Sequence, residues 1–66
     1  MTTIVISEKL KYYRYEHKLT QAELGEMLNV SPQAISKWER CDCYPDIIML
    51  PKLAKLLDCS VSDFFE

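Results

Sequence analysis

Residues Gln21–Arg40, QAELGEMLNVSPQAISKWER, contain two helix-length apolar patterns separated by a short polar turn. We expect the apolar contacts between the two helices to come from Leu24, Leu28, Val30, Ile35 and Trp38. Asn29 tolerates the left-handed backbone conformation that ends many helices, and Ser31–Pro32 is a typical helix start. Two helices joined by so short a turn meet at a steep angle, so we expect the small Gly25 where they approach closely.

The chain before this turn predicts one further helix. Ile4–Ile6 is a β-branched run that favours an extended backbone, so we expect residues 1–6 to be a flexible leader or a short strand that pairs across a dimer. Ser7 is a good N-cap for a first helix that runs to about Lys18. Thr20–Glu23 then fits the capping-box pattern at the start of the second helix.

The chain after Arg40 predicts a loop and two more helices. Asp46 is expected to cap the fourth helix, but Pro51 would cost a helix interior about 3 kcal/mol. A start at Leu50 after an irregular turn is therefore the alternative. The buried face of this helix is expected to include Ile47, Leu50, Leu53, Ala54 and Leu57. Ser60–Asp63 resembles a capping box for a last short helix. The sequence thus predicts a compact all-α fold of five helices in one domain, residues 7–66.

Composition and charge limit the class of protein. With 66 residues, 48% of them hydrophobic, the chain can form one small domain. Its net charge is −2 and is unevenly spread: residues 1–40 hold six Lys or Arg against five Asp or Glu, whereas residues 41–66 hold two against five. Because phosphate binding depends on the local field of the contacting face, this charge permits a nucleic-acid partner without indicating one.

Several function classes lack their sequence signals. The longest apolar run, Ile47–Leu50, is far too short to span a membrane, and no secretory signal precedes the domain, so we expect a cytoplasmic protein. A Gly-rich phosphate loop, a paired His motif and a nucleophile beside a base are not found, so we expect no enzyme activity and no cofactor. Cys41 and Cys43 with Cys59 and His17 make only a weak zinc pattern, and we expect no metal site.

Segments along most of the chain match a known pattern: Leu10, Arg14, Leu19–Leu24, Val30–Arg40, Tyr44–Asp46, Leu53–Leu57 and Ser62–Phe65. On these segments, residues 7–65 resemble the helix-turn-helix family of the lambdoid phage repressors and Cro, also called the xenobiotic-response-element family. The chain departs from the family at Gly25, Asn29 and Cys41, where Ala, Gly and Gly are usual. The resemblance implies a lambda-repressor-like DNA-binding fold with the helix-turn-helix at helices 2 and 3.

The resemblance also implies a function and a set of contacts. The function is that of a sequence-specific DNA-binding transcriptional regulator, a repressor, whose helix 3 contacts operator DNA in the major groove. The implied base contacts are Pro32, Gln33, Ser36 and Lys37, of which a Gln suits adenine and a Lys suits guanine. The implied phosphate contacts are Gln21, Ser31, Arg40 and Tyr44. Arg14 and Glu39 are implied to form a structural ion pair between helices 1 and 3.

The expected partner is double-stranded DNA with a two-fold symmetric operator. One domain of this size buries only about 600–1,000 Å² on DNA, so we expect a homodimer. The Phe64–Phe65 end and the Ile4–Ile6 segment are the candidate dimer surfaces. Two alternatives stand beside this function: the acidic C-terminal half favours a protein-interaction module such as an antitoxin-like subunit, and Cys41 with Cys43 favours a thiol- or metal-responsive regulator.

Overall fold

The computed structural model describes residues 4–65, and these form four α-helices: α1 (Ile6–Glu16), α2 (Gln21–Leu28), α3 (Pro32–Glu39) and α4 (Met49–Leu56). A single 3₁₀ turn, Val61–Phe64, closes this part of the chain. The prediction of an all-α fold is confirmed, but the fifth predicted helix is only this 3₁₀ turn. Of the predicted ranges 1–6 and 7–66, residues 1–3 and Glu66 lie outside the described residues.

The start of α1 differs from its prediction. The helix begins at Ile6, and its N-cap is Val5, which makes no capping hydrogen bond through its side chain. Ser7, the predicted cap, is instead buried within the first turn. Ile6 is buried in the core, and the free energy of burying this side chain accounts for the earlier start. The helix ends at Glu16, two residues earlier than predicted, and Lys18 beyond it adopts a positive φ of 55°.

The segment before α1 pairs with the end of the same chain. Ile4 forms an antiparallel bridge with Phe65, and the Val5 N–H donates a hydrogen bond to the Phe64 carbonyl at 2.9 Å. Ile4 therefore makes a strand-like pairing within its own chain. This pairing fixes the start of α1 against the closing 3₁₀ turn.

The predicted start of α2, the turn and the start of α3 are all present. The Thr20 hydroxyl accepts from the Glu23 N–H at 3.0 Å, and the Glu23 carboxylate accepts from the Thr20 N–H at 2.8 Å, which completes the capping box. Asn29 ends α2 in the left-handed conformation, with a φ of 61°. Ser31 caps α3, because its hydroxyl accepts from the Ala34 N–H at 3.1 Å.

Gly25 lies where the backbone of the turn comes closest to α2. A Cβ at this position would lie 2.6 Å from the Val30 carbonyl oxygen and 3.3 Å from the Ser31 carbonyl carbon. The Val30 N–H donates to the Gly25 carbonyl at 2.8 Å, so the turn is held against the helix. The close approach predicted for this glycine is therefore present, although its partner is the turn and not the neighbouring helix.

The core collects apolar side chains from every helix. Its buried members are Ile6, Leu10, Leu24, Leu28, Ile35, Trp38, Leu53, Ala54 and Phe64. α3 packs against both α1 and α2. Since full burial of one large apolar side chain is worth roughly 1.5–3 kcal/mol, Ile35 and Trp38 anchor α3 firmly by one face.

The start of α4 resolves the conflict between Asp46 and Pro51. The helix begins at Met49, so Pro51 falls in the first turn, where backbone N–H groups have no acceptor within the helix and a proline removes no hydrogen bond. Asp46 does not cap through its side chain, and only its carbonyl accepts from the Met49 N–H, at 2.8 Å. The prediction that Ile47 is buried is wrong, because this residue precedes the helix and is 80% exposed.

The other residues predicted for the buried face of α4 agree better with the structure. Leu53 and Ala54 are buried, whereas Leu50 and Leu57 are half-buried. The longest helix formed by residues 4–65 is α1, with 11 residues, and none of these helices has the length and apolar character needed to cross a membrane.

Candidate nucleic-acid interface

α3 has one buried face and one polar, outward face. Ile35, Trp38 and Glu39 are buried. Gln33 and Lys37 are exposed and lie four residues apart, so their side chains project from the same side of the helix. The burial of one face therefore fixes the direction in which the other face points.

The four residues with implied base contacts lie along this outward side. Pro32, Gln33 and Lys37 are exposed, and Ser36 is half-buried. A carboxamide both donates and accepts hydrogen bonds, a hydroxyl does the same, and an ammonium group donates only. Together these groups can pair with the acceptors and donors that base edges present in a major groove.

An ion pair joins α1 to α3. Arg14 Nε lies 2.8 Å from Glu39 Oε2, and Arg14 Nη2 donates to Glu39 Oε1 at 3.0 Å. The side chains are 14% and 5% exposed. Arg14 Nη1 also donates to the Leu19 carbonyl at 3.2 Å, and the hydrogen bond to Glu39 raises the pKa of Arg14 above its ordinary value. The pair implied by the resemblance is thus formed, with bidentate geometry.

Gln21 lies beside this pair, at the first position of α2. Its Nε2 donates to Glu39 Oε1 at 3.2 Å, and the residue is half-buried. No pattern in the sequence indicates this link, because it depends on how α2 and α3 cross. An implied phosphate contact is therefore connected to a buried carboxylate.

The other implied phosphate contacts lie at the two ends of α3 and in the loop that follows it. The Ser31 hydroxyl is exposed, and while its oxygen accepts from the Ala34 N–H, its own hydrogen is free to donate. Arg40 Nη2 lies 3.1 Å from Asp42 Oδ2, and the two side chains are 61% and 58% exposed. Such exposed pairs contribute only about 0.2–1 kcal/mol, so Arg40 can exchange this partner for a phosphate. Tyr44 is also exposed.

The cysteines form no compact cluster. Cys41 follows the C-cap of α3 with a φ of 62°, the position where the family usually has glycine, and its Sγ donates to the Ser7 hydroxyl at 3.2 Å. Cys43 is exposed. Cys59 is half-buried, and burial raises the pKa of its thiol. Within residues 4–65, no three His, Cys, Asp or Glu side chains lie close enough together to hold a metal ion.

Comparison with known proteins extends this description. The helix-turn-helix family profile matches residues 10–64. Repressor protein C2 of Salmonella phage P22 is 42% identical over 60 residues, which are 91% of this chain and 28% of that protein. An uncharacterized HTH-type transcriptional regulator of Methanocaldococcus jannaschii is 38% identical over 60 residues, 91% of each chain. The HTH-type transcriptional regulator DicA of Escherichia coli is 39% identical over 57 residues, 86% of this chain and 42% of DicA.

Solved structures give the same match. The crystal structure of the P22 c2 repressor in complex with synthetic operator 9T has a TM-score of 0.79 to this chain, with 39% identity and coverage of 94% of both chains. The chain spans less than a third of the full P22 repressor and nearly the whole length of the Methanocaldococcus jannaschii regulator. The chain therefore belongs to the lambda-repressor/Cro-like helix-turn-helix family of transcriptional regulators.

Proposed function

We propose that this chain represses transcription by binding a two-fold symmetric operator as a homodimer, with α3 in the major groove. The observation that carries this proposal is the outward face of α3, where Gln33 and Lys37 are exposed one turn apart on a helix held by a buried apolar face. Hydrogen-bonding groups at this spacing suit base edges. The P22 c2 repressor, solved with a synthetic operator, supports the same role for this chain.

The contacts divide into two groups with different tasks. Gln33, Ser36 and Lys37 hydrogen-bond to base edges and select the sequence, and the Pro32 ring packs on a thymine methyl group. Around them, the phosphate contacts set the position and orientation of α3 on the duplex. These are Gln21, Ser31, Arg40 and Tyr44.

The homodimer rests on size and symmetry, because two small domains on adjacent half-sites bury enough surface for specific binding. The sequence suggested Phe64 as part of a dimer surface, but this side chain is buried in the core of its own chain and is not available to a partner. Phe65 and the Ile47–Ile48 pair are exposed apolar side chains. Sedimentation equilibrium with Phe65→Ser, and separately with Ile47→Ser and Ile48→Ser combined, identifies which of them stabilises the dimer.

The decisive experiment is selection from a pool of random duplex DNA, followed by sequencing. The wild type is compared with an α3 double variant that carries Gln33→Ala and Lys37→Ala. The control is Lys55→Ala, which removes the same charge from an exposed position on α4. We expect a two-fold symmetric site for the wild type and the control, and a lost or altered site for the α3 variant. No enrichment at low salt, where phosphate attraction is strongest, would refute DNA binding by this chain.

Two other functions each have an observation in their favour. The excess of carboxylates in residues 41–66 favours a protein-interaction module such as an antitoxin-like subunit, which would bind a protein partner and show no DNA enrichment. The Cys41 thiol links the end of α3 to Ser7 of α1, and this contact favours a regulator that responds to a reaction at this thiol. For that function, oxidant or zinc must change DNA affinity in the wild type and leave the Cys41→Ser, Cys43→Ser variant unaffected.

A further inference from the structure

One buried carboxylate connects three helices of this fold. Glu39 lies at the end of α3 and is buried. Its Oε2 accepts from Arg14 Nε at 2.8 Å, while its Oε1 accepts from Arg14 Nη2 at 3.0 Å and from Gln21 Nε2 at 3.2 Å. The ion pair between α1 and α3 thus extends to the first residue of α2.

We propose that Glu39 is a positioning residue for Gln21, and that it holds the Gln21 carboxamide in the orientation that contacts a DNA phosphate. This inference rests on the proposed function. A carboxylate only accepts hydrogen bonds, so the amide nitrogen of Gln21 can face it and the amide oxygen cannot. The last torsion of a free glutamine side chain has two broad, nearly equivalent orientations. Glu39 therefore removes one of them before DNA binds.

The chemistry of a phosphate fits what remains of the Gln21 side chain. One hydrogen on Nε2 is used by Glu39, which leaves the second hydrogen as a donor. The backbone N–H groups of Gln21 and Ala22, the first two of α2, have no acceptor within the helix and favour an anion at this end, whereas the Glu23 N–H is already bonded to Thr20. Arg14 neutralises Glu39, so the carboxylate can lie near this end of the helix without repelling a phosphate.

Ordering of the side chain in the free protein has a measurable consequence. A side chain that is already held in its binding orientation loses little rotational freedom when DNA binds. For one side chain this advantage corresponds to about 2- to 10-fold in affinity. Glu39 would thus influence DNA binding through Gln21, in addition to its structural pairing with Arg14.

A double-mutant cycle separates these two roles. Glu39→Asp keeps the negative charge but withdraws the carboxylate by one methylene from both Gln21 and Arg14, and Gln21→Ala removes the carboxamide. The effect on Arg14 is the same with or without the Gln21 carboxamide, so the cycle isolates the effect on Gln21. Affinity is measured at low salt for a mixed-sequence duplex of about 20 base pairs, because phosphate contacts do not depend on sequence. We expect each single variant to lose about 2- to 10-fold in DNA affinity, and we expect no further loss of affinity when Glu39→Asp is added to Gln21→Ala. Equal loss from Glu39→Asp in both backgrounds would overturn the positioning role.

NMR of the side-chain amides tests the positioning in wild-type protein, without DNA and without a variant that has to fold. Gln21 and Gln33 are the two glutamines of the chain, and the exposed Gln33 serves as an internal control. We expect the Gln21 amide to be rigid on the picosecond-to-nanosecond timescale and the Gln33 amide to be mobile. Equal mobility of the Gln21 and Gln33 amides would overturn the positioning role and leave the proposed function standing. Failure of the wild type to bind any duplex would overturn both.

Discussion

Removing Arg14 alone should cost far more stability than removing Arg14 and Glu39 together. The Glu39 side chain is 5% exposed, and two of its three hydrogen bonds come from Arg14. Arg14→Met therefore leaves a buried carboxylate with only the Gln21 amide as a partner. Breaking a buried ion pair from one side costs about 3–5 kcal/mol, while a chain of this length has a total stability of about 3–10 kcal/mol. The single variant is thus expected to be close to unfolding.

Urea titration followed by Trp38 fluorescence provides the assay, because Trp38 is the single tryptophan of the chain and is buried. We expect the midpoint of Arg14→Met to fall by about 2–4 M. Arg14→Met combined with Glu39→Leu removes both charges and should lose less than about 2 kcal/mol. As a control, Asp42→Asn breaks the exposed pair with Arg40 and should change stability by less than about 1 kcal/mol. A double variant that is less stable than Arg14→Met would refute the argument from a stranded charge.

Three further changes test local features by the same unfolding measurement. Gly25→Ala should destabilise the fold by about 1–3 kcal/mol, because the alanine Cβ would lie 2.6 Å from the Val30 carbonyl oxygen, and this outweighs the better helix propensity of alanine. An unchanged urea midpoint would contradict this prediction. Cys41→Gly should be about 0.5–1 kcal/mol more stable than Cys41→Ala, since both lack the thiol but only glycine relieves the φ of 62°. The backbone N–H of Ser60 lowers the pKa of Asp63, so Asp63 stabilises the fold above its ordinary pKa and this contribution is lost as the pH falls through the lowered value. Asp63→Asn, which does not titrate, should therefore show a weaker decline of the melting temperature below about pH 4.

The sequence predicts the central part of the fold well because its signals there are local. Hydrogen bonds between residues three apart determine the capping box at Thr20 and the cap at Ser31. The left-handed Asn29 is a property of a single residue. Signals of this kind are complete within a few residues of chain, so no knowledge of tertiary packing is needed to interpret them.

The errors fall where packing overrides a local signal. Ser7 is a good cap by residue type, yet burial of Ile6 starts α1 one residue before it. Ile47 continues the apolar spacing of α4 but lies outside the helix, which begins at Met49. The links from Gln21 to Glu39 and from Cys41 to Ser7 join residues 18 and 34 positions apart, and such contacts depend on how helices cross.

The acidic net charge is compatible with DNA binding because of how charge is placed around α3. Lys37 is exposed on the outward face, whereas Glu39 is buried and already paired with Arg14. Asp42 is exposed, but it is paired with Arg40 and can be displaced by a phosphate. The local field at the interface is thus less negative than the net charge of −2 suggests. Because few cations are available to attract phosphates, the affinity of the proposed complex would depend strongly on the hydrogen bonds of Gln33 and Lys37 to base edges. The affinity for the operator should therefore exceed the affinity for non-specific DNA by a large factor.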